Sequence, residues 1–201
     1  MKLFYAAASP YVRKVMITAH ELGLADRIET VTAPTSPLDP NADLLAVNPV
    51  GKIPALVTED AGTLFDSRVI CRYLNHVGGG SLYGSGAGEY PIIGREALAE
   101  GMIDAMLLAV YERRLRSEDM VSEPWVIGQM AKAKRGMADF DHRVGELGGD
   151  VTIDKIALGA ALGYADFRHG NLGWRADCPK LADWYEAFLE RPSMQATMPS
   201  G

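Results

Sequence analysis

Short strand-like and helix-spaced apolar runs alternate in the first third of the chain, and from Ile92 onward the apolar spacing is helical. Lys2 to Tyr5 reads as a strand. Ser9 follows as a helix cap with Pro10 at the first helical position, where proline is favoured. Val12, Val15, Met16, Ala19 and Leu22 keep helical spacing, and Gly23 supplies the stop. Ile28 to Thr32 predicts a second strand, and the prolines and polar residues of 33–50 predict a long, functional loop with about one helical turn. Ala55 to Thr58 and Thr63 to Phe65 predict a hairpin around Asp60-Ala61-Gly62. Ser67 then opens a helix with Val69, Ile70, Tyr73 and Leu74 on its inner face.

Glycines interrupt this pattern from Val77 through Gly88 and predict a flexible linker. Gly84-x-Gly86-x-Gly88 does not read as a phosphate cradle, because no strand leads into it and no Lys-Ser/Thr pair follows. The stretches 92–116, 122–147, 152–168 and 179–190 are helical in period, and Ile156 to Ala165 is apolar or small nearly all round, as a central bundle helix must be. The expected organisation is an α/β domain over 1–77, a linker over 78–90 and an all-α helical bundle over 91–201. The β-α-β then β-β-α order of the first part matches a thioredoxin-like half domain.

With 201 residues the chain is long enough for one large domain or two small ones. A net charge of −6 and the lack of a basic stripe argue against a nucleic-acid surface, and no apolar run is long enough to span a bilayer. The segment after Met1 is strand-like rather than a signal-peptide core, so a cytoplasmic location is expected. Cys71 and Cys178 are too few for a disulfide framework, which agrees with a reducing compartment. His20, His76, His142 and His169 form no ligand-spaced pair, and no metal is expected.

Three places hold candidate chemistry. Ser9 stands at a helix N-terminus, where free N–H groups and the macrodipole favour an anion and lower the pKa of a thiol. Its hydroxyl suits either a bond to such a sulfur or a simple cap, and Tyr5 offers an alternative phenolic donor. Ile53-Pro54 begins a strand. Sequence alone favours a trans bond there, whereas a cis bond would turn the Ile53 backbone outward to pair with an extended peptide. Asp66-Ser67 offers a carboxylate for an ammonium group, and a hydroxyl and helix N–H groups for a carboxylate, or else a plain cap.

Taken in order, Ser9-Pro10, Asn48-Pro-Val-Gly-Lys-Ile-Pro-Ala-Leu56 and Asp66-Ser-Arg-Val-Ile-Cys-Arg-Tyr-Leu74 resemble the glutathione S-transferase family. The second part is similar to the family's helical half through Arg95 to Asp104, Trp125, Gln129, Thr152 to Arg168 and Pro179 to Tyr185. The resemblance implies a cis Ile53-Pro54 bond, with the Ile53 backbone pairing the cysteinyl part of glutathione and Asp66 and Ser67 holding its γ-glutamyl end. It also implies that Ser9 bonds the sulfur, that Lys52 approaches the glycyl carboxylate, and that the protein is a homodimer with the second substrate between its domains. Met102 and Met106, four apart on the first C-terminal helix, favour a core or dimer-contact role over the electrophile pocket for which they are also candidates, and Asp104 is a further candidate toward the partner's glutathione site. Cys71 is expected in the core.

The implied activity is conjugation of the glutathione thiolate to hydrophobic electrophiles, with glutathione as co-substrate and no resident cofactor. A noncatalytic binding module and a glutathione-dependent peroxidase are the alternatives. Two departures from the family pattern stand out. The Ala6-Ala7-Ala8 loop is less polar than is usual, and Lys155 takes the place of the aspartate expected three residues after Thr152. A lysine in a first helical turn opposes the macrodipole, so a weakened helix start is expected there.

Overall fold

The computed structural model describes residues 1–201. Strand β1 (Lys2–Tyr5) leads to helix α1 (Pro10–Glu21), and β2 (Glu29–Thr32) returns parallel to β1. A short helix, α2 (Ala42–Val47), precedes the hairpin of β3 (Ala55–Val57) and β4 (Thr63–Leu64), and α3 (Ser67–Val77) follows. The sheet order is β2-β1-β3-β4. A parallel pair needs a crossover, which α1 provides, whereas β3 and β4 need only a turn. The result is a thioredoxin-like sheet whose two faces are both covered. Phe4, Ala33, Leu44 and Ala55 form a buried cluster on one face, with Val31, Val47, Ile53 and Val57 packed against it. Leu3 and Leu56 alternate to the opposite face and are equally buried; α3 packs on β3 and α1 on α3.

The second unit is helical: α4 (Glu89–Arg114), α5 (Glu123–His142), α6 (Ile153–Arg168), the one-turn α7 (Trp174–Asp177) and α8 (Pro179–Leu189). Helix α6 is buried without interruption from Ile153 to Ala165 and packs on α4, which also packs on α5. His169, just past α6, places its Nε2 3.2 Å from the Met106 carbonyl, and burial lowers its pKa from the ordinary value.

The chain divides differently from the expected boundaries. The first unit is Met1–Leu82 together with Pro192–Gly201, and the second is Tyr83–Arg191. The last segment, opening with the one-turn α9 (Pro192–Gln195), belongs with α1 because Ser193 Oγ donates to Glu21 Oε1 at 2.5 Å and Arg13 Nη2 donates to the Met194 carbonyl at 3.4 Å. Residues 78–82 carry hydrogen bonds back to α3. Gly80 donates to the Asn75 carbonyl and Leu82 to Asn75 Oδ1, both through backbone N–H. A Cβ on Gly80 would lie 2.5 Å from Leu22 Cδ2 and 2.7 Å from Asn75 Oδ1, so one or both of these side chains would have to shift.

At the start of α6, Thr152 caps by position only: its Oγ1 is buried and makes no hydrogen bond. Lys155 does not aim its charge at the helix start. Its Nζ donates to the carbonyls of Gly148, at 2.6 Å, and Asp150 in the preceding loop. Asp154 is fully buried, its Oδ2 2.6 Å from Arg95 Nε and its Oδ1 without a hydrogen bond, and Glu146 Oε2 lies 3.1 Å from Nη1 of the same guanidinium. No side chain caps the start of α6, which is tied instead by Lys155 to the preceding loop and by Asp154 to Arg95.

Removing one member of a buried pair leaves an uncompensated charge. Arg95→Ala is expected to cost about 3–5 kcal/mol in chemical denaturation, against about 1 kcal/mol or less for Glu146→Ala at the exposed end. Equal small losses would contradict the assignment. For His169 the sign is fixed by a folded pKa below the unfolded one: stability is full above about pH 6.5 and falls as pH drops through the folded value. His169→Asn should therefore show a smaller drop in Tm between pH 7.5 and 5.5 than the wild type, and an unchanged drop would contradict this.

Candidate functional site

Register decides what meets at the end of the sheet. Phe4, near the C-terminal end of β1, pairs with Ala55, the first residue of β3; Leu56 pairs with Leu64, the last of β4. The exit of β1 toward Ser9, the entry to β3 from Ile53-Pro54, and the exit of β4 toward Asp66-Ser67 therefore lie at one end. The N-termini of α1 and α3 sit there too, and the two helices run side by side from that end, joined lower down by Thr18 Oγ1 donating to Cys71 Sγ at 3.4 Å.

Ser9 has extended backbone angles and caps α1, its Oγ accepting the Val12 N–H at 3.3 Å. Its own N–H donates to the Ala6 carbonyl at 3.0 Å, which closes the alanine loop as a tight turn. The two readings of this serine are compatible: a hydroxyl that accepts a cap bond keeps its proton for donation. Tyr5 ends β1 half-buried, its carbonyl accepting the Ala33 N–H at 2.9 Å.

The Ile53-Pro54 peptide is cis, and so is Phe65-Asp66. Ile53 lies two residues before the first ladder pair of β3, its side chain against the Phe4 cluster and its main chain bonded to no other segment. Lys52 is exposed. What fixes this turn is Asn48, only 1% exposed. Its Nδ2 donates to the Lys52 carbonyl at 2.7 Å, its Oδ1 accepts the Val50 N–H at 3.1 Å, and its carbonyl accepts the Gly51 N–H at 2.8 Å. Gly51 turns the chain at φ +65°, and Thr35 Oγ1 donates to its carbonyl at 3.2 Å. Sequence reasoning placed Asn48 in the motif without a task. The signal was there, since asparagine folds back on its own backbone in turns.

Asp66 caps α3, with Oδ1 accepting the Arg68 N–H at 3.0 Å and Oδ2 3.9 Å from Arg68 Nε. The carboxylate is exposed, so it is open to a cation, whereas Ser67, the first helical residue, is buried. Ser9, Ile53, Asp66 and Ser67 are thus brought to one end of the first unit, where two helix starts attract negative charge and one stretch of main chain is unpaired.

Met102 and Met106 do not line an open pocket. They are 2% and 0% exposed within the helical unit, and Met102 fills the space that Gly136 of α5 leaves beside α4. The methionine spacing that also admitted a pocket is the spacing of a packed face. Asp104 is exposed on α4, and Cys71 is buried as expected. No group of three or more His, Cys, Asp or Glu is placed to hold a metal ion, and no helix is long and apolar enough to cross a membrane.

Comparisons with known proteins agree with this construction. Residues 8–77 match the glutathione S-transferase N-terminal domain and residues 100–187 the C-terminal domain. A glutathione transferase family member from Pseudomonas fluorescens Pf-5, solved with bound glutathione, is 41% identical with a TM-score of 0.96, the match covering 100% of this chain and 99% of that one. A crystal structure with bound S-(propanoic acid)-glutathione, from the same organism, gives a TM-score of 0.90 at 41% identity over the whole of both chains. The Escherichia coli K12 GST-like protein YibF is 33% identical over 99% of this chain and 98% of its own length. The chain belongs to the glutathione S-transferase family.

Asn48→Ala would leave a buried carbonyl and an N–H without partners. It is expected to lower unfolding stability by about 1–3 kcal/mol, measured by denaturant titration, while exposed Lys52→Ala stays within about 0.5 kcal/mol. Similar effects for both would contradict the clamp.

Proposed function

We propose that the protein conjugates the glutathione thiolate to hydrophobic electrophiles, as a cytoplasmic homodimer with glutathione as co-substrate and no resident cofactor. The convergence of Ser9, Ile53 and Asp66-Ser67 at one end of the sheet carries this reading. Support also comes from the relatives solved with glutathione and with S-(propanoic acid)-glutathione.

An extended tripeptide pairs its cysteinyl main chain with that of Ile53 as one added strand. Its α-ammonium group faces the Asp66 carboxylate, and its α-carboxylate the first turn of α3 with Ser67. Lys52 serves the glycyl carboxylate. The sulfur then falls at Ser9, whose hydroxyl proton donates to the thiolate while α1 contributes its positive end. Both favour the ionised form, and each pKa unit gained corresponds to about 1.4 kcal/mol. The thiol proton leaves to solvent, the thiolate attacks the electrophilic carbon directly, and the leaving group departs with the bonding pair. No bond to the protein forms, since Ser9 donates a hydrogen bond and does not attack.

Ultraviolet titration of the bound thiol is expected to give a pKa below that of free glutathione, moving back toward the free value in Ser9→Ala. That variant should lose about 100-fold in kcat/KM with a standard aryl halide. A bound thiol that titrates as it does in free solution would reject the mechanism, and unchanged turnover in Ser9→Ala would remove Ser9 from it.

A further inference from the structure

Arg13 is a buried cation with no anion beside it. It stands four residues after Ser9 on α1 and is 4% exposed. Its Nη2 donates to the Met194 carbonyl at 3.4 Å, long for oxygen, and to Met198 Sδ at 3.6 Å, and both acceptors are uncharged. Nε and Nη1 have no hydrogen-bond partner. A guanidinium cannot shed its proton to escape burial, and its five N–H donors are built to grip a carboxylate. As it stands, the group is half of an ion pair.

Position narrows what the other half is. At about 100° per residue, Arg13 lies about 40° around α1 from Ser9 and one turn below it, and helical side chains lean back toward the N-terminus. Thr18, which marks the face of α1 toward α3, lies about 140° away from Arg13. Ser9 by the same count lies about 180° from Thr18, so Arg13 shares the serine's side of α1, turned away from the face that meets α3. A ligand stretched from α3 across Ile53 to Ser9 has its sulfur at the serine, and a group carried on that sulfur is then within about one helical turn of Arg13. The cover is Met198, a side chain that is 55% exposed and unbranched, and so able to swing aside.

We propose that Arg13 is the receptor for a carboxylate on the second substrate, so that the protein is selective for acidic electrophiles. This deepens the function proposed above and rests on it. Arg13 acts here as a specificity determinant: it holds the electrophile's acid group while the electrophilic carbon sits at the glutathione sulfur.

Calorimetric binding of two conjugates differing in one group tests it: S-(2-carboxyethyl)glutathione and its amide, S-(2-carbamoylethyl)glutathione. The wild type is expected to bind the acid at least about tenfold tighter than the amide, as a charge-assisted hydrogen bond implies. Arg13→Met should bring that ratio to near one. Met198→Glu places a carboxylate of the chain's own against Arg13 and should also cut the ratio about tenfold, a readout that survives if Arg13→Met does not fold. A ratio near one in the wild type, or one unmoved in the folded variants, overturns the proposal; a purely structural Arg13 would lower Tm without moving it. Titration with glutathione itself separates the two readings. Binding of glutathione with no acid preference removes only Arg13's role, whereas no binding of glutathione removes the parent reading and this one with it.

Discussion

The pairing of Phe4 with Ala55 is the contact on which the candidate site depends. It is a single rung of an antiparallel ladder, yet it sets which end of β3 lies beside the exit of β1. A slip of β3 by one residue would leave Phe4 in place but turn Ala55 to the opposite face, breaking the cluster they form with Ala33 and Leu44. Burial on both faces of the sheet therefore guards the register, and the register guards the site. The next rung, Leu56 with Leu64, extends the same logic to α3. Three chain segments far apart in sequence reach one place because a small sheet has few ways to be covered.

Around that frame the local devices are hydrogen bonds of the turn kind. Ser9 and Asp66 cap helices with side chains that keep capacity for a ligand, Ser9 through its hydroxyl proton and Asp66 through its exposed carboxylate. Asn48 spends its side chain on the turn instead, and so holds the Ile53 backbone where no internal partner reaches it. The same economy appears at α6, where Lys155 and Asp154 divide between them the work of securing a helix start, one tied to loop carbonyls and the other to Arg95.

Much of this was legible from residue order, and the reasons are physical. Caps, proline positions and apolar spacing are local, so α1, α3 and the helical unit could be read directly, and so could the motif around Ile53. What escaped reading depends on partners distant in sequence. The return of Pro192–Gly201 to α1 rests on Glu21 and Arg13, some 180 residues away along the chain. The close approach of Gly80 to Leu22 was not legible in a run of glycines. Met102 and Met106 admitted a core, dimer-contact or pocket role and are interior, because helical spacing is the same for each use. Arg13 gave one signal, a charge within a helix buried over most of its circumference, which only the structure could turn into an unpaired donor.

The central claim is that one end of a four-stranded sheet grips a tripeptide at three points together. Amide spectra of the labelled protein, recorded while glutathione is added, test it most directly. The account predicts that the amides of Ser9, Ile53 and Ser67 shift in concert, saturating at one common concentration. Shifts that saturate at different concentrations, or that leave Ile53 and Ser67 unmoved while others change, would contradict it.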